Sequence, residues 1–229
     1  MNKNVVNRLG AIFSVLVGVS YLIIGVIQLL LPADQTCDCA DLFWLSYLNE
    51  PFGLTVQYAA FALTGILGIQ VVMAVSDAIR ADDVGWLRWT RNLAMIGFAL
   101  TAIDNFHALD INRAKAFAFV NTLGAKAPLS IPGAMSGLDV NGWFRFGAIG
   151  LWVLVVSLLV LRSSAWPKAL AYVGIALAVA YFLILASGIF ELSGLTLIGA
   201  GIGGIILAPI WYIWMGLRLS DSSAATIIH

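Results

Sequence analysis

Read from its first residue, the chain alternates between long apolar runs and short polar breaks. Six runs, near 9–31, 55–78, 87–109, 143–162, 168–190 and 195–217, can each cross roughly 30 Å of hydrocarbon at about 1.5 Å per residue. Their apolar positions are continuous rather than alternating, which argues against a barrel of short strands. Backbone in lipid must satisfy its own hydrogen bonds, so each run is predicted as a helix. The predicted fold is all-α: one polytopic membrane bundle of six transmembrane helices over residues 1–229.

Local signals refine the boundaries. The first run, Ala11 to Leu31, follows Lys3 and Arg8. It exceeds the h-region of a signal peptide, and no small-x-small cleavage site follows, so it is read as a retained transmembrane helix. Asn141 or Asp139 is positioned to cap the fourth segment and Ser164 the fifth, with Pro167 in the first turn. Pro209 is expected to kink the sixth. Small residues form stripes: Gly10, Ser14, Gly18 and Gly25 on the first segment, Gly174 and Ala178 on the fifth, and Gly199 and Gly203, flanked by Ala200 and Gly204, on the sixth. Such stripes let helices approach closely where lipid supplies no hydrophobic drive. They fit a compact monomer, with a homo-oligomer seam as the alternative. The long loop 110–142 splits into "INRAKAFAFVNTLG", which extends the third helix or lies in the membrane interface, and a Pro-, Gly- and Ser-rich part predicted to be irregular.

Composition agrees. Of 229 residues, 61% are hydrophobic and 10% charged, against about 25% charged in an ordinary soluble domain. The lipid bilayer is therefore the first predicted partner. Net charge is zero and there is no basic tract, which argues against nucleic acid. Lys3, Arg8, Arg80, Arg88, Arg91, Arg162, Lys168 and Arg218 fall on one side; Arg113, Lys115, Lys126 and Arg145 fall on the other. The positive-inside rule then predicts cytoplasmic N- and C-termini. Trp44, Trp86, Trp89, Trp143, Trp166, Trp211 and Trp214 lie near predicted helix ends, as an interfacial belt would; Trp152 lies mid-helix.

Against this apolar background a few polar residues stand out. "AIDNFHALD" (102–110) brings Asp104, Asn105, His107 and Asp110 into the end of the third segment. Asp104 and His107 share a helical face at i,i+3. Gln28, Gln57, Arg145 and Glu191 fall at a similar predicted depth. Ionisable groups in hydrocarbon point to function, so these seven residues (Asp104, Asn105, His107, Arg145, Glu191, Gln28 and Gln57) form a candidate outward-facing polar pocket. The competing expectation is an ion-paired lock, with Asp104 and Glu191 on Arg145. No catalytic set is predicted, because no Ser-His-Asp motif, P-loop or dinucleotide fingerprint is present. No metal or cofactor is predicted either. Bis-histidine haem would need His229 as second ligand, and the spacing of Asp104, His107 and Asp110 alone does not specify zinc. Cys37 and Cys39, two apart in an acidic loop, are redox or disulfide candidates, or incidental thiols.

The stretches "LDVNGWFRFGAIGLWVLVVSLL" (138–159) and "GGIILAPIWYIWMGLRL" (203–219) resemble segments of bacterial integral membrane proteins of about this length that carry domain-of-unknown-function labels. The resemblance implies a multi-pass protein of the bacterial inner membrane and carries over no activity. Three functional classes stay open: a non-catalytic accessory subunit or assembly component with a membrane-protein partner; a small carrier or sensor with an outward polar pocket; and an intramembrane enzyme on a lipid or isoprenoid using Asp104 and His107 as acid and base.

Overall fold

A computed structural model describes residues 3–36, 40–79, 84–121, 138–139 and 141–225. Cys37, Cys39 and most of the irregular part of loop 110–142 lie outside these. Helices dominate: α1 (Lys3–Leu30), α2 (Ala40–Asn49), α3 (Phe52–Ala78), α4 (Val84–Asn121), α5 (Ile149–Arg162), α6 (Lys168–Phe190), α7 (Ser193–Ile198) and α8 (Ala208–Ala225). A π-helical turn, Trp143–Ala148, leads into α5, and a longer one, Gly199–Leu207, joins α7 to α8. Among the described residues, five helical stretches are long and apolar enough to cross a membrane: Asn7–Leu30, Phe52–Ala78, Trp143–Arg162, Lys168–Phe190 and Gly194–Asp221. The chain is thus a helical, multi-pass membrane-type protein. Helix α4 falls outside these five; Asp104, Asn105, His107 and Asp110 interrupt the apolar run in its middle.

The long helices close a ring in the order α1, α3, α4, α5, α6, α8, with α8 returning to α1. Small residues set its seams. Gly65 of α3 faces the backbone of Phe98 and Ala102 on α4, and Gly97 of α4 faces the Phe144 carbonyl; a side chain at either point would collide with main chain. The stripe on α1 divides its contacts. Gly10 meets Ala74 of α3, while Ser14, Gly18 and Gly25 run along α8 and the π turn before it. Gly174 makes room for Ser157 and the Trp211 indole, and Gly199 and Gly203 lie against α6. Gly204 meets nothing within 4 Å, so it is no part of that seam.

Aromatic side chains fill the ring. Trp152, Trp211 and Tyr212 are fully buried. Trp152 and Trp211 meet edge to face at 5.8 Å, and Trp211 and Tyr212 at 4.9 Å. Trp152 therefore sits mid-helix because it is core. Trp211 corrects the belt reading: it points inward against Gly174. Trp86, Trp89 and Trp143 are exposed, as interfacial residues would be.

Three further expectations meet the structure here. Pro209 has no N–H to close an α-turn on Ile205, and the ladder ahead of it widens into the π turn Gly199–Leu207. Ser164 caps nothing: Pro167 stands before α6 without a side-chain cap bond, and the neighbouring Ser163 hydroxyl accepts the Ala165 N–H instead. Finally, "INRAKAFAFVN" continues α4 to Asn121, and α2, unforeseen in the sequence, packs on that continuation. Tyr47 of α2, Leu54 of α3 and Ala116 of α4 form a second small core there.

Candidate functional site

The polar residues gather at the end of the bundle where α1 finishes and α3 begins (the upper end). The turn before α5 does most to organise them. Gly142 takes a left-handed conformation (φ 76°) that a side chain would strain. Its carbonyl accepts the N–H groups of both Phe146 and Gly147, opening the π turn. This bends the chain back over Asp139, whose Oδ2 accepts the N–H groups of Phe144 (3.0 Å) and Arg145 (2.8 Å). A carboxylate on free N–H groups at a helix start is stabilised by both hydrogen bonding and the helix dipole. The capping expectation for Asp139 is met: its side chain takes the usual second and third N–H groups of the helix, but from three residues ahead of Gly142, which holds the N-cap position.

The same turn carries Arg145 over two carboxylates. Its Nη2 donates to the Asp139 carbonyl, and its Nε lies 3.6 Å from Asp139 Oδ2. Its Nη1 lies 3.2 Å from Oδ2 of Asp104, which comes from α4. The Asp139 side chain is buried, Asp104 is 11% exposed and Arg145 24%. One guanidinium thus ties α4 to the start of α5. The Asp104 contact is one of charge: neither Asp104 Oδ2 nor Arg145 Nε has an aligned hydrogen-bond partner.

The other candidates are distributed around this clamp. Asn105 turns back onto its own helix and donates to the Thr101 carbonyl at 2.7 Å. His107 is half-buried on the next turn of α4. Gln57 donates to Gln28 at 2.8 Å, joining α3 to α1 as a separate contact. Glu191 closes α6 in a left-handed conformation (φ 55°) and is exposed. Among the described residues no ion pair joins Glu191 to Arg145; Asp139 takes the second place on the guanidinium. Beyond Asp104, partial burial lowers the Lys115 ammonium from its ordinary value. Among the described residues no three His, Cys, Asp or Glu side chains gather as a metal site would require.

Depth explains why charge is tolerated here. Gly97 of α4 is level with the Phe144 carbonyl, and Gly188 of α6 with the Asn141 carbonyl. The start of α5 and the end of α6 therefore meet α4 around the turns from Gly97 to Asp104. Helix α4 continues to Asn121, about 25 Å further at the usual helical rise. The clamp lies at the lip where one half of the bundle stops, with its inner side covered by protein and Arg145 partly exposed.

Among the polar contacts that the sequence does not announce are two hydroxyl pairs. Tyr21 of α1 and Tyr181 of α6 share a hydroxyl–hydroxyl bond of 2.9 Å, and the Ser187 and Thr196 hydroxyls bond across the α6–α7 turn. Neither pair has a sequence spacing that announces it. Comparison with known protein families, with curated proteins and with solved structures returns no match to this chain.

Proposed function

We propose that this chain is a six-span protein of the bacterial inner membrane, with both termini in the cytoplasm, acting as a non-catalytic accessory subunit or assembly component of a membrane complex. The sixth span is α4. Its 87–109 portion packs between α3 and α5 within the ring, and about 34 Å of helix there is long enough to cross a hydrocarbon core. The excess of Lys and Arg on one side supports the orientation. The resemblance of 138–159 and 203–219 to bacterial membrane proteins supports the compartment.

One observation carries the non-catalytic reading: the pairing of Asp104 with Arg145. An acid–base pair or ligand pocket needs its charged groups turned toward a substrate. Here Arg145 is shared by Asp104 and Asp139, so the most polar group of the upper end is spent on joining helices. Asp104→Asn is expected to lower the melting temperature in detergent and to act in cells only through loss of folded protein. Purification from native membranes is expected to bring a stoichiometric membrane partner. An Asp104→Asn protein that melts like the parent yet loses its cellular role would instead favour a carrier or enzyme.

A further inference from the structure

Between the end of α1 and the start of α3 the chain forms α2, ten residues long and too short to cross a membrane. One face packs on the protein: Tyr47 is buried with Leu54 and Ala116, Phe43 and Leu48 pack beside it, and Trp44 lies 6.5 Å from Phe119 of α4. The opposite face carries two exposed leucines, with Asn49 at its end. Leu42 and Leu45, three apart, are each 47% exposed. Paired leucines on the face turned away from the protein call for an apolar cover.

The surroundings identify the cover. Leu29 and Leu30 at the end of α1 are 74% exposed, and Phe52 at the start of α3 is 77% exposed. Leu31 lies against Gly53 and also packs on the α2 core. The apolar exterior of two membrane-length helices thus reaches the level of α2 at both of its ends. We propose that α2 is a membrane-surface helix, lying at the headgroup–acyl boundary with Leu42 and Leu45 among the acyl chains. Its charge selects the lipid. Interfacial helices are usually basic, whereas segment 32–54 carries Asp34, Asp38, Asp41 and Glu50 and no Lys or Arg, and these four acids outnumber Arg113 and Lys115 on the α4 turns beside it. Anionic headgroups repel such a segment within a Debye length, so the lipid it takes is zwitterionic.

The inference rests on the membrane reading above, and the experiment separates the two. Cys37 and Cys39 are replaced by Ser, and single cysteines at Leu42 and Leu45 carry a nitroxide in phosphatidylcholine proteoliposomes. Leu22, exposed on α1, serves as the lipid reference, and Ser164, exposed between α5 and α6, as the water reference. Power saturation is expected to show labels at 42 and 45 relaxed by oxygen several-fold more than by a nickel chelate, as at 22. In phosphatidylglycerol at low salt that preference is expected to fall about two-fold or more and to return at high salt. Nickel-dominated relaxation at 42 and 45 with a normal Leu22 would overturn the assignment. So would an immobilised spectrum shielded from both reagents, since a protein partner or second copy would then cover α2. Equal or deeper insertion in phosphatidylglycerol would overturn the choice of lipid. Nickel access at Leu22 itself would bring down the membrane reading and this inference together.

Discussion

The middle of the bundle and its upper lip hold polar groups by opposite means. In the middle, Tyr21 bonds Tyr181, Trp152 Nε1 donates to Ser76 Oγ at 3.1 Å, and Ser14 donates to the Tyr212 carbonyl at 2.6 Å. All of these groups are neutral and all lie within the buried interior. At the lip, Arg145 is held by two carboxylates and remains 24% exposed. The difference follows from desolvation. A neutral hydroxyl or indole loses little on leaving water once it has one partner, whereas an ion needs an opposite charge and some remaining water. The interior is therefore stitched by hydroxyls and aromatic rings, and among the described residues ion pairs lie toward the ends of the bundle: the Arg145 clamp where α5 begins, Arg91 with Asp77 where α3 ends and α4 begins, and Arg218 with Asp221 late in α8.

Three substitutions probe this contrast, in falling order of effect. Trp152→Ala removes the centre of the aromatic stack, where Trp152 meets Trp211 and Ser76. It is expected to cost about 3–5 kcal/mol in denaturant unfolding in detergent. Arg145→Gln leaves Asp104 and Asp139 facing each other without a cation, at a cost of about 3 kcal/mol. Adding Asp104→Asn to that chain is expected to recover part of the loss, because residues in one network do not act additively. Tyr21→Phe deletes one neutral bond in the middle and is expected to cost about 0.6–1.7 kcal/mol, the range for polar contacts between membrane helices. A Tyr21→Phe loss larger than that of Arg145→Gln would break the contrast. Full additivity of the two lip substitutions would show that Asp104 and Arg145 do not act as a pair.

Legibility differed between these regions for a physical reason. The small-residue stripes foretold seams, because close helix approach needs missing side chains wherever the partner lies. Gly18 and Gly174 do what their pattern implied. The end of α4 was harder to read. Asp104, Asn105, His107 and Asp110 look like a helix approaching water, yet the helix runs on to Asn121 because α2 covers Ala116 and Phe119. Helix α2 stayed hidden in an acidic loop since its ten residues make no span and Leu42 and Leu45, opposite its packed face, blur any single-sided period. Asp139 was legible as a cap, but its return to the Arg145 side chain needed Gly142 in a left-handed turn and a π turn after it.

By itself the sequence determined that this protein is helical and built from several apolar, membrane-length spans, because unbroken hydrophobic runs leave the backbone no other way to pair its polar groups. It also singled out the few ionisable residues, although it set Asp104 and His107 at a helix end and α4 runs on past them. Tertiary structure alone decided which of them meet: Asp139 rather than Glu191 completes the Arg145 clamp, Gln28 finds Gln57, and Trp211 turns inward while Trp86 and Trp89 face outward. Periodicity names the face of a helix that is small or polar. Which helix that face meets depends on the order of the ring, and that order is settled by packing between segments as far apart as Ser14 and Tyr212.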